Sequence, residues 1–484
     1  MVQGLNGAGL QVVMDVVYNH TAASGQAATS VLDRVVPGYY QRLDARGAVE
    51  SSTCCSNTAT EHRMMEKLMI DSVLTWARDY KVNGFRFDLM GHHSLENMQR
   101  LRSALDRLTV RRDGVDGRSI YLYGEGWSFG EVADDALFVQ ATQRNLAGTG
   151  IGSFSDRLRD AVRGGGPFDE DPRVQGFGSG LFTDPNGAEA NGTPAEQRAD
   201  LLHLQDLVKL GLAGNLRDFS FRTSTGETVL GKDVDYNGEP AGYAADPGET
   251  VTYVDAHDNE TLFDSMAFKL PQGTSMADRV RMNTLSLSTV ALSQGVVFWH
   301  AGTDLLRSKS LDRNSYDSGD WFNRVDWSRR EHTFGSGLPL KADNAAKWDF
   351  MRPLLADPAL EPGPDAMDAA HARALDLLRL RMSSPLFRLG SAAAIQDKVS
   401  FLDAEPGVIA MLVDDTVGTD ADADRDGVLV VFNATPATTT VRGTGGGWTL
   451  HDVQASGGDE VVKGSTVAAD AVTVPARTTA VFER

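Results

Sequence analysis

Three carboxylates lie at the ends of short apolar segments, where they could act together on one bond. The segments are GFRFD, which ends at Asp88, YGEGW, which contains Glu125, and VDAHDN, which contains Asp258. Polar groups that follow parallel strands meet at one face of a (β/α) barrel and form its active site. Two carboxyl groups that flank an acetal bond are the minimum equipment for glycoside hydrolysis. The pattern therefore predicts glycoside-cleaving acid–base chemistry.

The segment GFRFD gives Asp88 a cationic neighbour. Side chains alternate across a strand, so Arg86 and Asp88 share one face while Phe85 and Phe87 share the other. A guanidinium beside Asp88 favours the ionised carboxylate that a nucleophile requires. A structural salt bridge inside a barrel is the alternative interpretation of the same pair.

The segment YGEGW gives Glu125 a different setting. It stands between two glycines, which let the backbone turn sharply and leave the side chain uncrowded. Trp127 offers an apolar wall, which we expect to raise the pKa of Glu125 and to keep it protonated as a general acid. An ordinary charged residue at a strand end is the alternative.

Two further strand ends carry polar side chains that could hold sugar hydroxyls or brace the carboxylates. They are His257, Asp258 and Asn259 in VDAHDN, and Asp15, Asn19 and His20 in QVVMDVVYNH. Buried polar groups need partners, which sugar hydroxyls can supply. For Asp15 and Asn19 we favour bracing over substrate contact. His92 and His93 lack the i, i+4 spacing of a helical metal site, and we expect them to support the site from behind.

Composition bounds the class of protein. The chain has 484 residues, 41% of them hydrophobic and 23% charged, which is enough for a barrel-sized domain and a second module. Its formal net charge of −20 argues against nucleic acid and anionic membranes as partners. No apolar run reaches the roughly 18 residues that a bilayer span needs, so we expect no membrane span.

Strand-like and helix-like segments alternate along most of the chain, which predicts an α/β fold with a parallel sheet. We predict a catalytic (β/α) barrel domain over 1–383, with long loop insertions around 148–248 and 307–331. Beyond Pro385 helical periodicity gives way to short β-like runs, which predicts an all-β sandwich domain over 384–484.

Two smaller features bear on redox state and cofactors. Cys54 and Cys55 are either a vicinal disulfide or free thiols, and we favour free thiols because adjacent Cβ geometry suits a disulfide poorly. The run 422–427 resembles the start of a calcium loop, but its twelfth position is Asn433 rather than Glu and a strand follows. We therefore expect an acidic turn there and no cofactor, with calcium as the alternative.

In their order, spacing and residue identities, the four segments resemble the four signature regions of the α-amylase clan of glycoside hydrolases. The resemblance is closer to the pullulanase-type α-1,6-glucosidases, that is, the pullulanases and limit dextrinases. It rests on GFRFDLMGHHS, YGEGWSFGEV, GTGIGSFSDRLRDAVRGGGPF, VDYNGEPAGYAADP and LLRSKSLDRNSYDSGDWFNRVDW. It covers most of residues 1–330, and the trailing β region suits the family's C-terminal domain.

The resemblance implies a retaining double displacement. Asp88 would be the nucleophile, Glu125 the acid and then the base, and Asp258 the third carboxylate, which holds sugar hydroxyls and favours the oxocarbenium-like state. Arg86, His20 and His257 match positions that contact the sugar at the cleavage point. Trp127, Asp15 and Asn259 are further candidate substrate-binding residues, with bracing favoured for Asp15. The implied substrate is a branched α-glucan such as pullulan, limit dextrin or glycogen. An α-1,4-acting enzyme of the same clan and an inactive glucan-binding remnant are the alternatives.

The sequence also departs from the family. QVVMDVVYNH corresponds to the third barrel strand, yet only ten residues precede it. The family's Tyr-Asn-Trp-Gly-Tyr-Asp-Pro segment has no counterpart, so we expect a barrel that lacks its first two strands. Such an open sheet leaves edges unpaired, and we expect poor folding and little or no activity. Any export signal would lie upstream, and the resemblance favours a secreted or cell-envelope location.

Overall fold

The computed structural model describes all 484 residues and divides into two compact units. Unit 1 comprises Met1–Phe154 and Ala244–Val251, and unit 2 comprises Ser155–Tyr243 and Thr252–Arg484. These units are defined by compactness alone. They do not test the predicted domains 1–383 and 384–484, which stay a prediction.

Unit 1 is built on a parallel sheet. Its strands, in spatial order, are Val13–Val16, Gly84–Phe87, Tyr121–Gly124, Gly152–Phe154 and Thr250–Thr252, the last of which ends one residue beyond the unit. The pairing sets Asp15 opposite Arg86, and Arg86 opposite Tyr123. Parallel neighbours need crossover connections, and the alternating pattern of the sequence predicted them.

Helices and short elements connect these strands. The α-helices are Val2–Gly7, Leu32–Val35, Arg63–Tyr80, Leu95–Leu105 and Val110–Asp113. The 3₁₀ turns are Met90–His92, Gly117–Ser119, Gly130–Asp135 and Pro247–Glu249. A small antiparallel pair joins His20–Thr21 to Ser56–Asn57.

The core of unit 1 lies between the sheet and its two long helices. Phe85 and Phe87 are fully buried there, and they pack in one cluster with Met69, Val73 and Leu101. The alternation predicted for GFRFD is thus confirmed for its apolar face. The first strand lies at the end of the sheet order, and Val13 is 42% exposed.

Unit 2 is richer in helices. They are Asp156–Arg163, Pro194–Leu212, Leu262–Lys269, Met276–Ala291, Asp320–Asn323, Lys341–Asn344, Trp348–Leu355, Pro364–Ser383, Ala392–Lys398 and Asp452–Ser456. Its 3₁₀ turns are Phe177–Ser179, Glu189–Asn191, Gly231–Asp233, Thr303–Leu305, Ser315–Asp317, Ala345–Lys347, Pro358–Leu360, Pro385–Phe387 and Val462–Gly464. Short strands are Ser220–Arg222, Thr228–Leu230, Asp235–Tyr236, Glu239–Pro240 and Val296–Val297. No helix of either unit is both long enough and apolar enough to cross a bilayer.

The predicted loop insertion around 148–248 contains a long helix, Pro194–Leu212. Thr193 caps its start by accepting the Glu196 N–H, and Pro194 occupies the first turn, where its missing N–H costs nothing. Gln205 in this helix donates to the Val408 carbonyl at 3.1 Å. The insertion is therefore partly a packed structural element of unit 2.

The C-terminal residues form two antiparallel sheets. One has the order Val399–Leu402, Val408–Asp414, Gly427–Asn433, Thr478–Glu483 and Thr449–Leu450, and the other has the order Thr439–Arg442, Ala471–Val474 and Thr466–Ala468. Val431 and Phe482 from the first sheet share a buried cluster with Val441 and Val472 from the second. An α/β part followed by a β-sandwich-like region is thus confirmed, while the (β/α)8 barrel geometry stays a prediction.

Candidate active site

Asp88 directly follows the strand Gly84–Phe87 and faces Arg86 of the same strand. Arg86 Nη1 lies 3.1 Å from Asp88 Oδ1 and 2.8 Å from Asp15 Oδ1. Asn19 Nδ2 donates to Asp88 Oδ2 at 3.0 Å and to the Asp88 carbonyl at 2.6 Å. The Asp88 carboxylate is therefore contacted by one cation and by one amide donor.

Glu125 follows the neighbouring strand and is buried, with 8% of its surface exposed. Arg86 Nη2 lies 3.1 Å from Glu125 Oε1, and the backbone N–H of Leu89 donates to Glu125 Oε2 at 2.8 Å. One guanidinium therefore bridges Asp88 and Glu125. The adjacency of the two parallel strands puts both side chains within its reach.

Glu125 has two polar contacts that sequence reasoning did not predict. The contacts with Arg86 and the Leu89 N–H stabilise a carboxylate, and the apolar wall expected from Trp127 stays a prediction. Trp127 itself is half-buried, and its carbonyl oxygen approaches Gly91 so closely that a Cβ there would lie 1.9 Å away. Contact of the indole with substrate stays a prediction.

Arg86 is the electrostatic centre of this group. It is 7% exposed, and burial disfavours its charge, but Glu125, Asp15 and Asp88 together outweigh that effect and raise the pKa of Arg86 above its ordinary value. Three carboxylates around one cation leave an excess of negative charge. Such a site favours positive charge that develops on a bound molecule.

His20 reaches Asp88 through Asn19. Its Nδ1 lies 2.5 Å from Asn19 Oδ1, an acceptor, so Nδ1 carries the proton, and Nδ1 is 3.9 Å from Asp88 Oδ2. Burial lowers the pKa of His20, although the charge of Asp88 acts in the other direction. The neutral ring keeps Nε2 as an acceptor, and Nε2 lies 3.5 Å from Cys54 Sγ.

Cys54 and Cys55 are joined by a disulfide, so the predicted pair of free thiols was wrong. The pair lies in the bend at 52–55, where the Cys55 N–H donates to Thr53 Oγ1 at 3.3 Å. The local bend of the loop, which the sequence does not reveal, decides the pairing. His20 and the two sulfurs lie within 4.8 Å of one another, but a disulfide offers no thiolate to a metal.

Arg42 was not found by sequence reasoning, whereas His92 and His93 were expected to support the site. Arg42 is 3% exposed and pairs with Glu61 at 2.9 Å and Glu131 at 2.8 Å. Its Nη2 also donates to the His92 carbonyl at 3.2 Å. His92 and His93 are fully buried, and burial lowers the pKa of His92 to about 4 and of His93 to about 3. Both rings are therefore neutral near pH 7 and support the loop after Asp88.

Asp422 of the candidate calcium loop and the nearby Asp415 have protein partners. Asp422 accepts from Ser384 Oγ at 2.5 Å and from Arg425 at 3.3 Å. Asp415 pairs with Lys398 at 2.7 Å. These contacts match an acidic turn, and the prediction that no cofactor is needed stays a prediction.

Asp258 lies in unit 2, on the loop that follows Thr250–Thr252. The side chains of His257 and Asp258 are 59% and 56% exposed, and His257 Nε2 lies 3.7 Å from Asp258 Oδ2. Asn259 has a left-handed backbone, with φ 60°. The structure thus brings Asp88, Glu125 and their partners together in unit 1, whereas joint action with Asp258 stays a prediction.

Known proteins similar to this chain include several pullulanases. Residues 329–484 match the family model described as "Alpha-1,6-glucosidases, pullulanase-type, C-terminal". The chain is 47% identical to Pullulanase 1, chloroplastic, of Arabidopsis thaliana over all of this chain and 51% of that protein. It is 44% identical to the pullulanase of Klebsiella pneumoniae over 98% of this chain and 43% of that protein.

Solved pullulanase structures are also similar to this chain. The maltotriose complex of PulA from Klebsiella pneumoniae superimposes with a TM-score of 0.92 at 43% identity, over 100% of this chain and 52% of that one. The chain combines strand-end carboxylates on a parallel sheet with a β-sandwich-like region in its C-terminal residues. By sequence the chain is similar to the pullulanase-type α-1,6-glucosidases, through residues 329–484 in the family model and over its whole length in the relatives. It spans about half the length of the curated relatives it matches.

Proposed function

We propose that this protein is a debranching hydrolase that cleaves α-1,6-glucosidic linkages in pullulan, limit dextrin or glycogen. The observation that carries the proposal is the bridge from Arg86 to both Asp88 and Glu125, at 3.1 Å each. Retaining glycosidases need their two carboxyl groups only about 5–5.5 Å apart. A single guanidinium that contacts both carboxylates is compatible with that separation.

The proposed first step forms a covalent glycosyl-enzyme. An oxygen of Asp88 attacks the anomeric carbon, and the bond from that carbon to the 6-oxygen of the leaving sugar breaks. Glu125 gives its proton to this oxygen, so Asp88 loses a negative charge in the new ester while Glu125 gains one. In the second step Glu125 takes a proton from water, whose oxygen displaces Asp88. The two inversions at the anomeric carbon retain its configuration.

The proton on Glu125 needs an explanation, because its contacts with Arg86 and the Leu89 N–H favour the ionised form. We expect the incoming glucan to exclude water from Glu125 and to replace one of these contacts, which would favour the protonated acid. Trp127 is two residues away and is the residue we expect to line this part of the glucan site.

The remaining roles follow from the resemblance and from the contacts in each unit. We propose that Asp258 holds sugar hydroxyls and stabilises the oxocarbenium-like transition state. The neutral His20, whose Nε2 is a hydrogen-bond acceptor, suits a hydroxyl group. The other proposed substrate contacts are Arg86, His257, Asp15 and Asn259.

The test incubates the chain with pullulan and, separately, with linear amylose. Maltotriose released from pullulan, with amylose left intact, supports α-1,6 cleavage. Oligosaccharides released from amylose would favour an α-1,4-acting enzyme, and glucan binding without turnover would favour an inactive remnant. Asp88→Asn and Glu125→Gln are the matched variants, because each removes one ionisable group at nearly constant volume. If Asp88→Asn still hydrolyses pullulan, Asp88 is not the nucleophile.

A further inference from the structure

The loop 254–260 of unit 2 combines exposed side chains with a backbone held by buried ones. His257 and Asp258 are more than half exposed, as described above. Behind them, Asp255 and Lys309 are each only 1% exposed. Burying a charged group costs free energy unless it is well bonded. The bonds that these buried groups make therefore show what the loop requires.

Lys309 bonds directly to the backbone of this loop. Its Nζ donates to the His257 carbonyl oxygen at 2.7 Å. Burial lowers the pKa of Lys309, while nearby carboxylates, led by Asp264 and Asp312, act in the other direction. The ammonium thus ties down the residue immediately before Asp258.

Lys309 is itself held in place by Asp264, which is fully buried. Asp264 Oδ2 accepts the Lys309 N–H at 2.7 Å and the Leu311 N–H at 3.2 Å, and Oδ1 accepts from Ser308 Oγ at 2.5 Å. Ser310 and Leu311 are left-handed, with φ 54° and 68°. A backbone bent in this way does not relax freely, so the root of the Lys309 side chain is fixed.

Two further bonds hold the start of the loop. Arg163 Nη1 donates to the Val254 carbonyl at 3.3 Å. Asp255 Oδ2 accepts the Leu262 N–H at 3.0 Å and Thr303 Oγ1 at 3.2 Å. The loop is therefore fixed on both sides of the exposed pair, and Lys309 provides the tie nearest to Asp258.

We propose that Lys309 is a positioning residue that fixes the His257 carbonyl and thereby the direction of the Asp258 carboxylate. The inference rests on the proposed function of Asp258 as the third carboxylate. Lys309 acts through the backbone and takes no part in the bond changes. Misplacement of a reacting group by about 1 Å can cost about 100-fold in rate, so the loss of this tie should be visible in turnover.

The variant that tests this is Lys309→Met, which removes the donor and keeps a side chain of similar length. Its matched control is Lys209→Met. Lys209 is a buried lysine of the same unit, 5% exposed, whose Nζ donates to the Arg222 carbonyl at 3.3 Å and pairs with Asp206 at 3.0 Å. Both variants lose a buried ammonium, but only Lys309→Met releases His257.

We expect Lys309→Met to lower kcat on pullulan by about 10- to 100-fold with KM changed by less than about threefold. Lys209→Met should keep kcat within about twofold while losing comparable thermal stability. The double variant Asp258→Asn/Lys309→Met should be no slower than Asp258→Asn, because Lys309 acts through Asp258. Parental kcat in Lys309→Met, or additive losses in the double variant, would overturn the inference.

Hydrogen exchange separates this inference from the proposed function. Amides 257–260 should exchange faster in Lys309→Met than in the parent and in Lys209→Met. If the parent does not hydrolyse pullulan, the proposed function fails, yet the exchange result still supports or overturns the tie. Equal protection of amides 257–260 in all three proteins would show that Lys309 does not hold the loop.

Discussion

The backbone N–H of Leu89 donates to Glu125 Oε2 at 2.8 Å from a left-handed conformation, with φ 39°. Leu89 directly follows Asp88, so the residue after the proposed nucleophile holds the proposed acid. This geometry links the two carboxylates through the main chain, in addition to the guanidinium of Arg86. Left-handed backbone is costly for most residues. At Leu89 this conformation accompanies the N–H bond to Glu125.

Two substitutions at Leu89 should separate backbone conformation from side-chain packing. Asn adopts left-handed backbone readily, whereas β-branched Val does so poorly. We expect Leu89→Val to lose at least about tenfold more kcat than Leu89→Asn, because a shifted N–H misplaces Glu125. Steady-state kinetics on pullulan measures this. Equal losses in the two variants would mean that the conformation of Leu89 does not matter for turnover.

Arg86→Lys keeps the positive charge but removes the fork that contacts Asp88 and Glu125 together. A lysine ammonium is a compact charge that does not reproduce a planar bridge. We expect kcat to fall by about 100-fold while the protein stays folded. Circular dichroism checks the fold, and Arg46→Lys, an exposed arginine, is the control. Near-parental turnover in Arg86→Lys would show that the bridge is dispensable.

His93 should make stability depend on pH. Its ring is buried, both nitrogens lack a hydrogen-bond partner, and burial lowers its pKa from 6.5 to about 3. The folded state then stays neutral while the unfolded state takes up a proton below pH 6.5. The free energy of unfolding that this neutral ring contributes is present in full above pH 6.5. It falls by on the order of 4 kcal/mol as the pH is lowered toward 3.

His93→Phe removes this titration and leaves an aromatic ring against Phe87, which His93 contacts edge-on. Urea unfolding of parent and variant from pH 7 to pH 4 gives the comparison. The difference in unfolding free energy between the two should shift in favour of the variant as pH falls. A difference that does not change with pH would contradict the assigned neutral, buried ring.

Thiol counting tests the corrected assignment of Cys54 and Cys55. Because the two sulfurs form a disulfide, no thiol should react with iodoacetamide in denaturant before reduction, and both should react after reduction. Mass spectrometry of the peptide that contains both residues measures this. Alkylation of both cysteines without a reductant would restore the original prediction of free thiols.

Local patterns predicted the apolar faces well. Period-two alternation in GFRFD placed Phe85 and Phe87 in the core, and the β-like runs beyond Pro385 predicted the antiparallel sheets of the C-terminal residues. Polar residues at strand ends likewise predicted that Asp88 and Glu125 come together. These features depend on burial and on the two-residue period of a strand, and both can be recognised from residues that are close in sequence.

Charge pairing was less accessible to the sequence. Arg42 bonds to Glu131, which is 89 residues away in sequence. Lys309 bonds to the His257 carbonyl, which is 52 residues away. Neither contact has a periodicity, because it depends on which loops the fold brings together. The polar neighbours of Glu125 were missed for the same reason, because Arg86 and the Leu89 N–H are far from it in sequence. The catalytic roles themselves stay predictions.

The surplus of acidic groups around Arg86 has a consequence for inhibitor choice. A sugar mimic with a basic nitrogen at the anomeric position becomes a cation when protonated, and Asp15, Asp88 and Glu125 together outnumber the single guanidinium beside them. Protonated imino sugars should therefore compete more strongly than neutral isosteres of equal shape. Added salt should narrow that advantage.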